Sequence, residues 1–67
     1  MKNNLKEVRK KIGLTLEDLA NLCRVSKSQL HDLEQQDGAE PRITTAYSIS
    51  AATGSSIHYL WPEPEQL

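Results

Sequence analysis

The sequence predicts an all-α fold, a compact bundle of five short helices in one domain. Turn-forming residues divide the 67 residues into short segments. Most of these segments place apolar residues at helical spacing, and none alternates in the two-residue rhythm of a strand. A chain of this length leaves room for one small core. Because Phe is absent, that core must be built mainly from nine Leu, four Ile and five Ala.

The first helix is predicted from apolar positions that recur every three or four residues. Leu5, Val8, Arg9 and Ile12 fall on one face at the spacing i, i+3, i+4, i+7. Gly13 follows this face directly and can adopt the left-handed conformation that ends a helix. We therefore expect the first helix to end at Gly13 with Ile12 on its apolar face.

The second helix is predicted to begin at Thr15. The Thr15 hydroxyl can cap the helix while Asp18, three residues later, reaches back to the Thr15 backbone, which makes a capping box. The side chains expected to face inward are those of Leu16, Leu19, Ala20 and Cys23.

The third helix follows after a very short connection. Only Arg24 and Val25 lie between Cys23, the last inward residue of the second helix, and Ser26. Ser26 can cap the third helix in a second capping box with Gln29. The expected buried edge of this helix consists of Leu30 and Leu33. So short a connection sets two helices at a steep angle, as in a helix-turn-helix, and leaves the third helix protruding with its N-terminal end exposed.

Two further helices are predicted beyond residue 42. The fourth runs from about Ile43 to Thr53 and ends at Gly54, and the fifth begins at a Ser56 cap and must end by Pro62. One side of the fourth is expected to carry Ile43, Ala46, Tyr47, Ile49 and Ser50. The fifth is expected to bury Ile57, Leu60 and Trp61. Residues 1–62 are thus predicted to form one domain and residues 63–67 a frayed tail.

The charges are divided unevenly along the chain. Residues 1–30 carry seven basic and three acidic side chains, a net charge of +4, whereas residues 31–67 carry one basic and six acidic side chains, a net charge of −5. This division indicates either one face suited to a polyanion or a distribution that merely keeps a small protein soluble.

No apolar run approaches the roughly 18 residues that span a bilayer. The N-terminus lacks an apolar signal segment and the single Cys23 suits a reducing compartment, so we expect a cytoplasmic protein.

Residues spread over nearly the whole chain resemble the pattern of one family. They are Arg9, Gly13-Leu14-Thr15, Glu17-Asp18-Leu19-Ala20, Val25-Ser26, Leu30, Leu33-Glu34, Pro41, Ile43, Ala46, Ile49 and Gly54-Ser55-Ser56. Over residues 4–61 the chain is similar to the phage repressor and Cro helix-turn-helix family of transcriptional regulators. The resemblance implies a repressor-like DNA-binding domain that places its third helix in the major groove of double-stranded DNA.

The resemblance also implies a contact that clamps the third helix to the scaffold. In such a contact Arg9, on the first helix, pairs with Glu34, at the end of the third. Helical periodicity agrees, because Arg9 lies on the apolar face of its helix and Glu34 borders that of the third. The alternative is that these are two separate surface charges.

Three departures from the family pattern affect the expected interface. Leu16 stands where family members usually carry Gln, so this phosphate-facing position lacks a side-chain hydrogen bond. Arg24 occupies a turn position usually held by Gly and needs a left-handed backbone at a cost of roughly 1 kcal/mol. After Glu34, the loop carries the acids Asp37 and Glu40 in place of a short basic turn. These departures predict weaker or narrower DNA binding.

Helical geometry and the resemblance together select the base-facing side chains. With the two leucines of the third helix inward, rotation by about 100° per residue exposes the side that carries Ser28, His31, Asp32 and Gln35. The resemblance implies base contacts by Lys27, Ser28 and Asp32.

Each of these side chains has a chemistry that suits base edges. Lys27 can donate to guanine O6 and N7, Ser28 can bond to most bases, and Asp32 can accept from the cytosine amino group or orient Lys27. Gln29 is a weaker base candidate because we expect it to serve its own capping box. His31 can contact DNA or be simply solvated.

A second set of residues is predicted to lie near phosphates, which position such a domain and make its affinity depend on salt. The set consists of Lys10, Lys11, Thr15, Leu16, Gln35 and Arg42, with Lys27 shared between the two sets.

Bulky residues near the C-terminus predict a homodimer. Tyr and Trp are favoured in interfaces, and the candidate residues are Ile57, Tyr59, Leu60 and Trp61. A two-fold dimer through the fifth helix and the preceding loop would place two third helices about 34 Å apart on a palindromic operator.

Other chemistry is not expected. Cys23, His31 and His58 fall in three different elements, so we expect no metal site. No catalytic triad, glycine-rich phosphate loop or large pocket is indicated, so we expect no enzyme, cofactor or small-molecule ligand. The predicted function is sequence-specific binding of double-stranded DNA by a Cro-like phage or bacterial repressor that occludes promoters. The alternative is a protein–protein interaction module on the same scaffold, which Leu16, the acidic loop and the net charge of −1 favour.

Overall fold

The computed structural model describes residues 2–38 and 40–62 of the chain. This part contains five α-helices, joined by turns and loops, and no strand. The helices are α1 (Leu5–Lys11), α2 (Leu16–Cys23), α3 (Lys27–Glu34), α4 (Ile43–Thr53) and α5 (Ile57–Leu60). The predicted all-α class is confirmed. The predicted tail, residues 63–67, lies outside the described residues. None of the described helices is long and apolar enough to cross a membrane.

Side-chain caps define the starts of three helices. The Thr15 hydroxyl accepts from the Asp18 N–H at 3.0 Å, and the Asp18 carboxylate accepts from the Thr15 N–H at 3.1 Å. Ser26 caps α3 by accepting from the Gln29 N–H, and Ser56 caps α5 in the same way. Of the two hydrogen bonds of the predicted Ser26–Gln29 capping box, only the one from the Gln29 N–H to the Ser26 hydroxyl is present. The other, between the Gln29 side chain and the Ser26 backbone N–H, is absent from the described residues, so that part of the prediction is wrong.

Residues with a left-handed backbone conformation follow α1, α2 and α4. Gly13 (φ 81°) follows α1, Arg24 (φ 59°) ends α2 and Gly54 (φ 74°) ends α4. The left-handed backbone expected of Arg24 is therefore present. α3 ends differently, because Gln35 is extended, with φ −70° and ψ 141°.

Each helix contributes one fully buried side chain to a single core. These five residues are Leu5, Leu19, Leu30, Ile49 and Leu60. α2 lies in the middle and packs against both α3 and α4, while α1 packs against α3 and α5 against α4. Ala20 is 2% exposed, and its small side chain lets α2 lie close to its neighbours. This core fixes α3 along its inner side only.

Three residues expected on inner faces are exposed. Ile12 is 45% exposed and lies just beyond the last residue of α1, with its N–H still donating to the Val8 carbonyl at 3.1 Å. Ile43 and Tyr47 are 63% and 62% exposed. The buried side of α4 is narrow and consists of Ala46 and Ile49, and Tyr47 lies about 100° away from Ala46 around the helix.

Candidate nucleic-acid interface

α3 has a buried face and an exposed face with different chemistry. Leu30, Leu33 and Glu34 are at most 5% exposed. Every base-facing candidate is exposed, namely Lys27, Ser28, Gln29, His31 and Asp32. α3 therefore presents an ammonium, a hydroxyl, an amide, an imidazole and a carboxylate on the side that faces away from the core.

Four of these side chains surround a shallow depression beside α2. Lys27, Ser28, His31 and Asp32 line an open depression of about 350 Å³ together with Leu16. Leu16 is half-buried and supplies the apolar edge. An aliphatic side chain at this edge can contact a sugar or a thymine methyl group, but it cannot bond to a phosphate.

The outer face holds few internal polar contacts. In residues 2–38 and 40–62 no ion pair joins Lys27 to Asp32, so nothing there supports the idea that Asp32 orients Lys27. His31 and Gln35 do meet, with their Nε2 atoms 3.4 Å apart, and the Gln35 amide also donates to the His31 carbonyl at 3.2 Å. Gln29, freed from the expected capping box, projects its side chain outward.

A buried ion pair holds the end of α3 against α1. Arg9 Nε lies 2.6 Å from Glu34 Oε2, and Arg9 Nη2 lies 3.1 Å from Glu34 Oε1, which gives a bidentate pair. The third guanidinium nitrogen donates to the Leu14 carbonyl at 3.0 Å. The hydrogen bond to Glu34 raises the pKa of Arg9 above its ordinary value against the opposing effect of burial. The two charges are thus partners in the interior rather than separate surface groups.

Asn3, just before α1, makes polar contacts with the end of α3 that the sequence does not predict. Its side-chain Nδ2 donates to the Leu33 carbonyl at 2.9 Å and to the Gln35 carbonyl at 3.2 Å, while its Oδ1 accepts from the Leu5 N–H at 3.0 Å. An Asn just before an apolar run is a helix-start signal and could have indicated the bond to Leu5. No local signal points from Asn3 to α3.

The phosphate candidates are spread over several elements. Lys10 and Lys11 are exposed in the last turn of α1, and Arg42 is the exposed residue before α4. Thr15 already uses its N–H and its hydroxyl oxygen in the capping box with Asp18. The Thr15 N–H, and next the Thr15 hydroxyl, lower the pKa of Asp18, which keeps a negative charge at the start of α2. A phosphate at the start of α2 would therefore lie near this carboxylate as well as near the Thr15 hydroxyl.

Two of the four predicted dimer residues lie inside the domain, where the apolar pattern of the fifth helix also predicts them, so direct contact with a second copy is left to the other two. Leu60 is fully buried and Trp61 is 4% exposed. With Phe absent and Tyr47 turned outward, the core takes Trp61 as its large side chain. Its indole N–H is buried and has no acceptor among residues 2–38 and 40–62. Ile57 is half-buried and Tyr59 is 52% exposed.

An apolar groove of about 270 Å³ lies between α4 and α5. Its lining residues are Glu40, Pro41, Ile43, Ala46, Ile57, His58 and Trp61.

In the described part of the chain, no group of three or more His, Cys, Asp or Glu residues could hold a metal ion. Cys23 is buried, and burial raises the pKa of its thiol.

The arrangement of α2 and α3 defines the class of protein as a helix-turn-helix domain, and comparisons with known proteins specify it. The family model described as helix-turn-helix matches residues 5–60. The chain is similar to the solved structure of the N-terminal DNA binding domain of SinR from Bacillus subtilis. The two are 32% identical with a TM-score of 0.79, over 94% of this chain and 91% of that chain. No curated protein matches.

The chain belongs to the Cro/repressor-type helix-turn-helix family of DNA-binding transcription regulators.

Proposed function

We propose that this chain binds double-stranded DNA sequence-specifically as a transcription regulator, with α3 in the major groove. The observation that carries this proposal is the outer face of α3, where five polar side chains are exposed while the opposite face is buried. The major groove is about 12 Å wide and admits an α-helix. The similarity to the SinR DNA binding domain supports the same conclusion.

Three side chains on α3 are assigned to base contacts. Lys27 donates to guanine O6 and N7, Ser28 bonds to a neighbouring base edge, and Asp32 accepts from a cytosine amino group. Gln29 and His31 are secondary candidates because both are exposed on the same helix. In this assignment Asp32 selects bases directly, since it has no ion pair with Lys27 among the described residues.

Phosphate contacts are assigned to a second set of side chains, with Lys27 shared between this set and the base-facing set. Lys10, Lys11 and Arg42 are exposed cations, and the Gln35 amide lies at the end of α3. Leu16 adds no hydrogen bond, and the Asp18 carboxylate beside Thr15 opposes a phosphate there. Each phosphate neutralised by a cation steepens the fall of log affinity with log salt concentration by about 0.9, so a homodimer with these cations on each chain should lose affinity steeply as salt rises.

The regulator is proposed to be a phage or bacterial Cro-like repressor that acts in the cytoplasm. It is proposed to bind as a homodimer and to repress by occluding a promoter. Tyr59 and the half-buried Ile57 supply the accessible part of the interface on α5, together with the preceding loop, Gly54-Ser55-Ser56. Leu60 and Trp61 support this surface from inside. Such a dimer places two α3 helices about 34 Å apart on a palindromic site.

The experiment that tests DNA binding compares two lysine variants over a range of salt concentrations. We expect the unchanged protein to bind a duplex selected from a random library, with affinity that falls as salt rises. Lys27→Ala is expected to lose both affinity and preference for the selected duplex. Lys6→Ala removes the same charge from an exposed α1 position outside the proposed contact set and should preserve the preference. Loss of preference in neither variant would contradict the proposal.

The exposed apolar surface on α4 and α5 favours a second candidate, a protein–protein interaction module. Ile43, Tyr47 and Tyr59 are all more than half exposed. If this is the function, the chain binds random duplex only feebly, no sequence is enriched in a selection, and Lys27→Ala has no effect on the interaction with the partner.

A further inference from the structure

The C-terminal end of α3 is held by a distant part of the chain rather than by a left-handed turn. Gly13, Arg24 and Gly54, which follow α1, α2 and α4, have positive φ values. At Gln35, by contrast, the chain leaves α3 in an extended conformation. The last carbonyls of a helix lack donors within the helix. At this end the Asp32 carbonyl accepts from the Gln35 N–H and the Gln35 carbonyl from the Gly38 N–H, whereas the Leu33 carbonyl takes its donor from a distant residue.

Asn3 supplies donors to two carbonyls at this end. Its Nδ2 donates to Leu33 and Gln35, which are the residues on either side of Glu34, 30 and 32 positions away in the sequence. Asn3 is only 7% exposed and its bond to the Leu33 carbonyl is buried, so water does not compete well for that carbonyl, whereas the bond to Gln35 is partly buried. Its Oδ1 meanwhile accepts from the Leu5 N–H, which ties the same amide to the start of α1.

The backbone of Asn3 is held in place by the residue after Gln35. Gln36 Nε2 donates to the Asn3 carbonyl at 3.0 Å, and Gln36 Oε1 accepts from the Asn3 N–H at 3.3 Å. The next residue, Asn4, has partners on a different helix. Its N–H donates to the Leu60 carbonyl and its Nδ2 to the Tyr59 carbonyl, both at the end of α5.

We propose that Asn3 is a positioning residue for DNA recognition, because it fixes the end of α3 on both sides of the Arg9–Glu34 ion pair. The ion pair restrains the side chain of Glu34, whereas Asn3 restrains the backbone at Leu33 and Gln35. The Gln35 side chain in turn contacts His31 on the outer face. Asn3 thus controls the placement of outer-face side chains that it does not touch. This inference rests on the proposed function.

The test uses Asn3→Asp with Asn4→Asp as the matched control. Asn3→Asp keeps an oxygen for the Leu5 N–H, but it removes both bonds to α3 and sets a carboxylate against two carbonyls. Asn4→Asp makes the same change of charge one residue along and removes only the side-chain bond to α5. Two quantities are measured for each, namely amide hydrogen exchange at Glu34 and Gln35, and the ratio of the Kd for random duplex to the Kd for the selected duplex.

We expect Asn3→Asp to speed exchange at these two amides about tenfold and to lower the Kd ratio by about fivefold, of the order of losing donors to buried carbonyls. Asn4→Asp should change neither quantity by more than about twofold, since its exposed side-chain bond is to α5. Equal exchange rates at Glu34 and Gln35 in the two variants, or equal Kd ratios, would overturn the proposal.

Two further outcomes separate this proposal from the proposed function. If the unchanged protein prefers no duplex, the proposed function fails and with it the role of Asn3 in recognition, while the exchange rates still show whether Asn3 holds α3. If Asn3→Asp does not fold, Gln36→Glu replaces it, because Gln36 is exposed and its amide donates to Asn3. The same two quantities should then move in the same direction by about twofold to threefold. No movement would overturn the proposal.

Discussion

Two charges buried against each other decide how firmly α3 is attached to its scaffold. The side chains of Arg9 and Glu34 are 10% and 3% exposed, and their bidentate contact satisfies both groups. Removal of one member leaves the other buried without a partner, which costs far more than the net contribution of the pair. The attachment of the proposed DNA-reading helix is therefore sensitive to either residue.

Arg9→Met is expected to lower the free energy of unfolding by about 3–5 kcal/mol, because Glu34 then remains buried and unpaired. Thermal or urea unfolding measures this. Lys10→Met is the matched control, since Lys10 is the neighbouring exposed cation on the same helix. The loss of stability should be at least as large as the loss of DNA affinity. A melting temperature that is the same for Arg9→Met and the unchanged protein would contradict the clamp.

The pairing of Arg9 with Glu34 was predictable from the sequence, whereas the role of Asn3 was not. The resemblance supplied the pair, and the position of Arg9 on an apolar face agreed with it. Asn3 lies outside every helix, and its partners on α3 are at least 30 positions away. Periodicity and capping rules describe neighbours in sequence, so they contain no information about such a contact.

At the scale of the helices, the ends are specified locally and the faces only in part. Short-range hydrogen bonds and backbone conformations at Thr15, Arg24 and Gly54 place the ends of α2 and α4 where the sequence predicts them. The exposed Ile43 and Tyr47 differ from prediction, because the width of a buried face depends on which neighbours pack against it.

Arg24→Gly is expected to be more stable than Arg24→Ala by about 1 kcal/mol. Both variants remove the same exposed side chain, but only Gly relieves the cost of a left-handed backbone at φ 59°. In a domain of this size the difference corresponds to about 4–8 °C in melting temperature. Equal melting temperatures of the two variants would show that this turn stores no strain.

The capping box of α2 predicts a pH dependence of stability. The pKa of Asp18 is lowered in the folded chain from its ordinary value of 3.8, chiefly by the Thr15 N–H. A lowered folded-state pKa means that the contribution is complete above the unfolded-state pKa and is lost as the pH falls through the folded-state pKa. Unfolding of Asp18→Ala and of the unchanged protein should therefore differ at neutral pH and converge in acid. A difference that stays constant down to the lowest pH would contradict this.

At the scale of the whole molecule, one side of α3 is committed to the core and the other side is exposed. The basic first half of the sequence contains Lys27 and Ser28, and the acidic second half contains α4 and α5. Exposed apolar side chains occur on both halves, at Ile12 and Leu22 in the first and at Ile43, Tyr47 and Tyr59 in the second. In the proposed function α3 faces DNA and α5 faces a second copy of the chain, so the two partners would occupy different surfaces.

Tyr59→Ser is expected to weaken dimer formation on DNA, since Tyr59 is the most exposed apolar residue of α5. Light scattering of the free protein and of its complex with a selected palindromic duplex measures the mass. Tyr47→Ser on α4 serves as the matched control, with a similarly exposed Tyr outside the predicted dimer residues. A monomer mass for the unchanged protein, both free and on DNA, would remove the dimer from the account.

The most direct test of the role of α3 is a selection of bound duplexes with Lys27→Gln beside the unchanged protein. Lysine donates to guanine, whereas glutamine pairs with adenine through N6 and N7. We predict that one position in each selected half-site changes from guanine to adenine or loses its preference. Lys6→Gln should select the same sequence as the unchanged protein. Enrichment of one identical sequence by all three proteins would contradict the assignment of this helix face to DNA recognition.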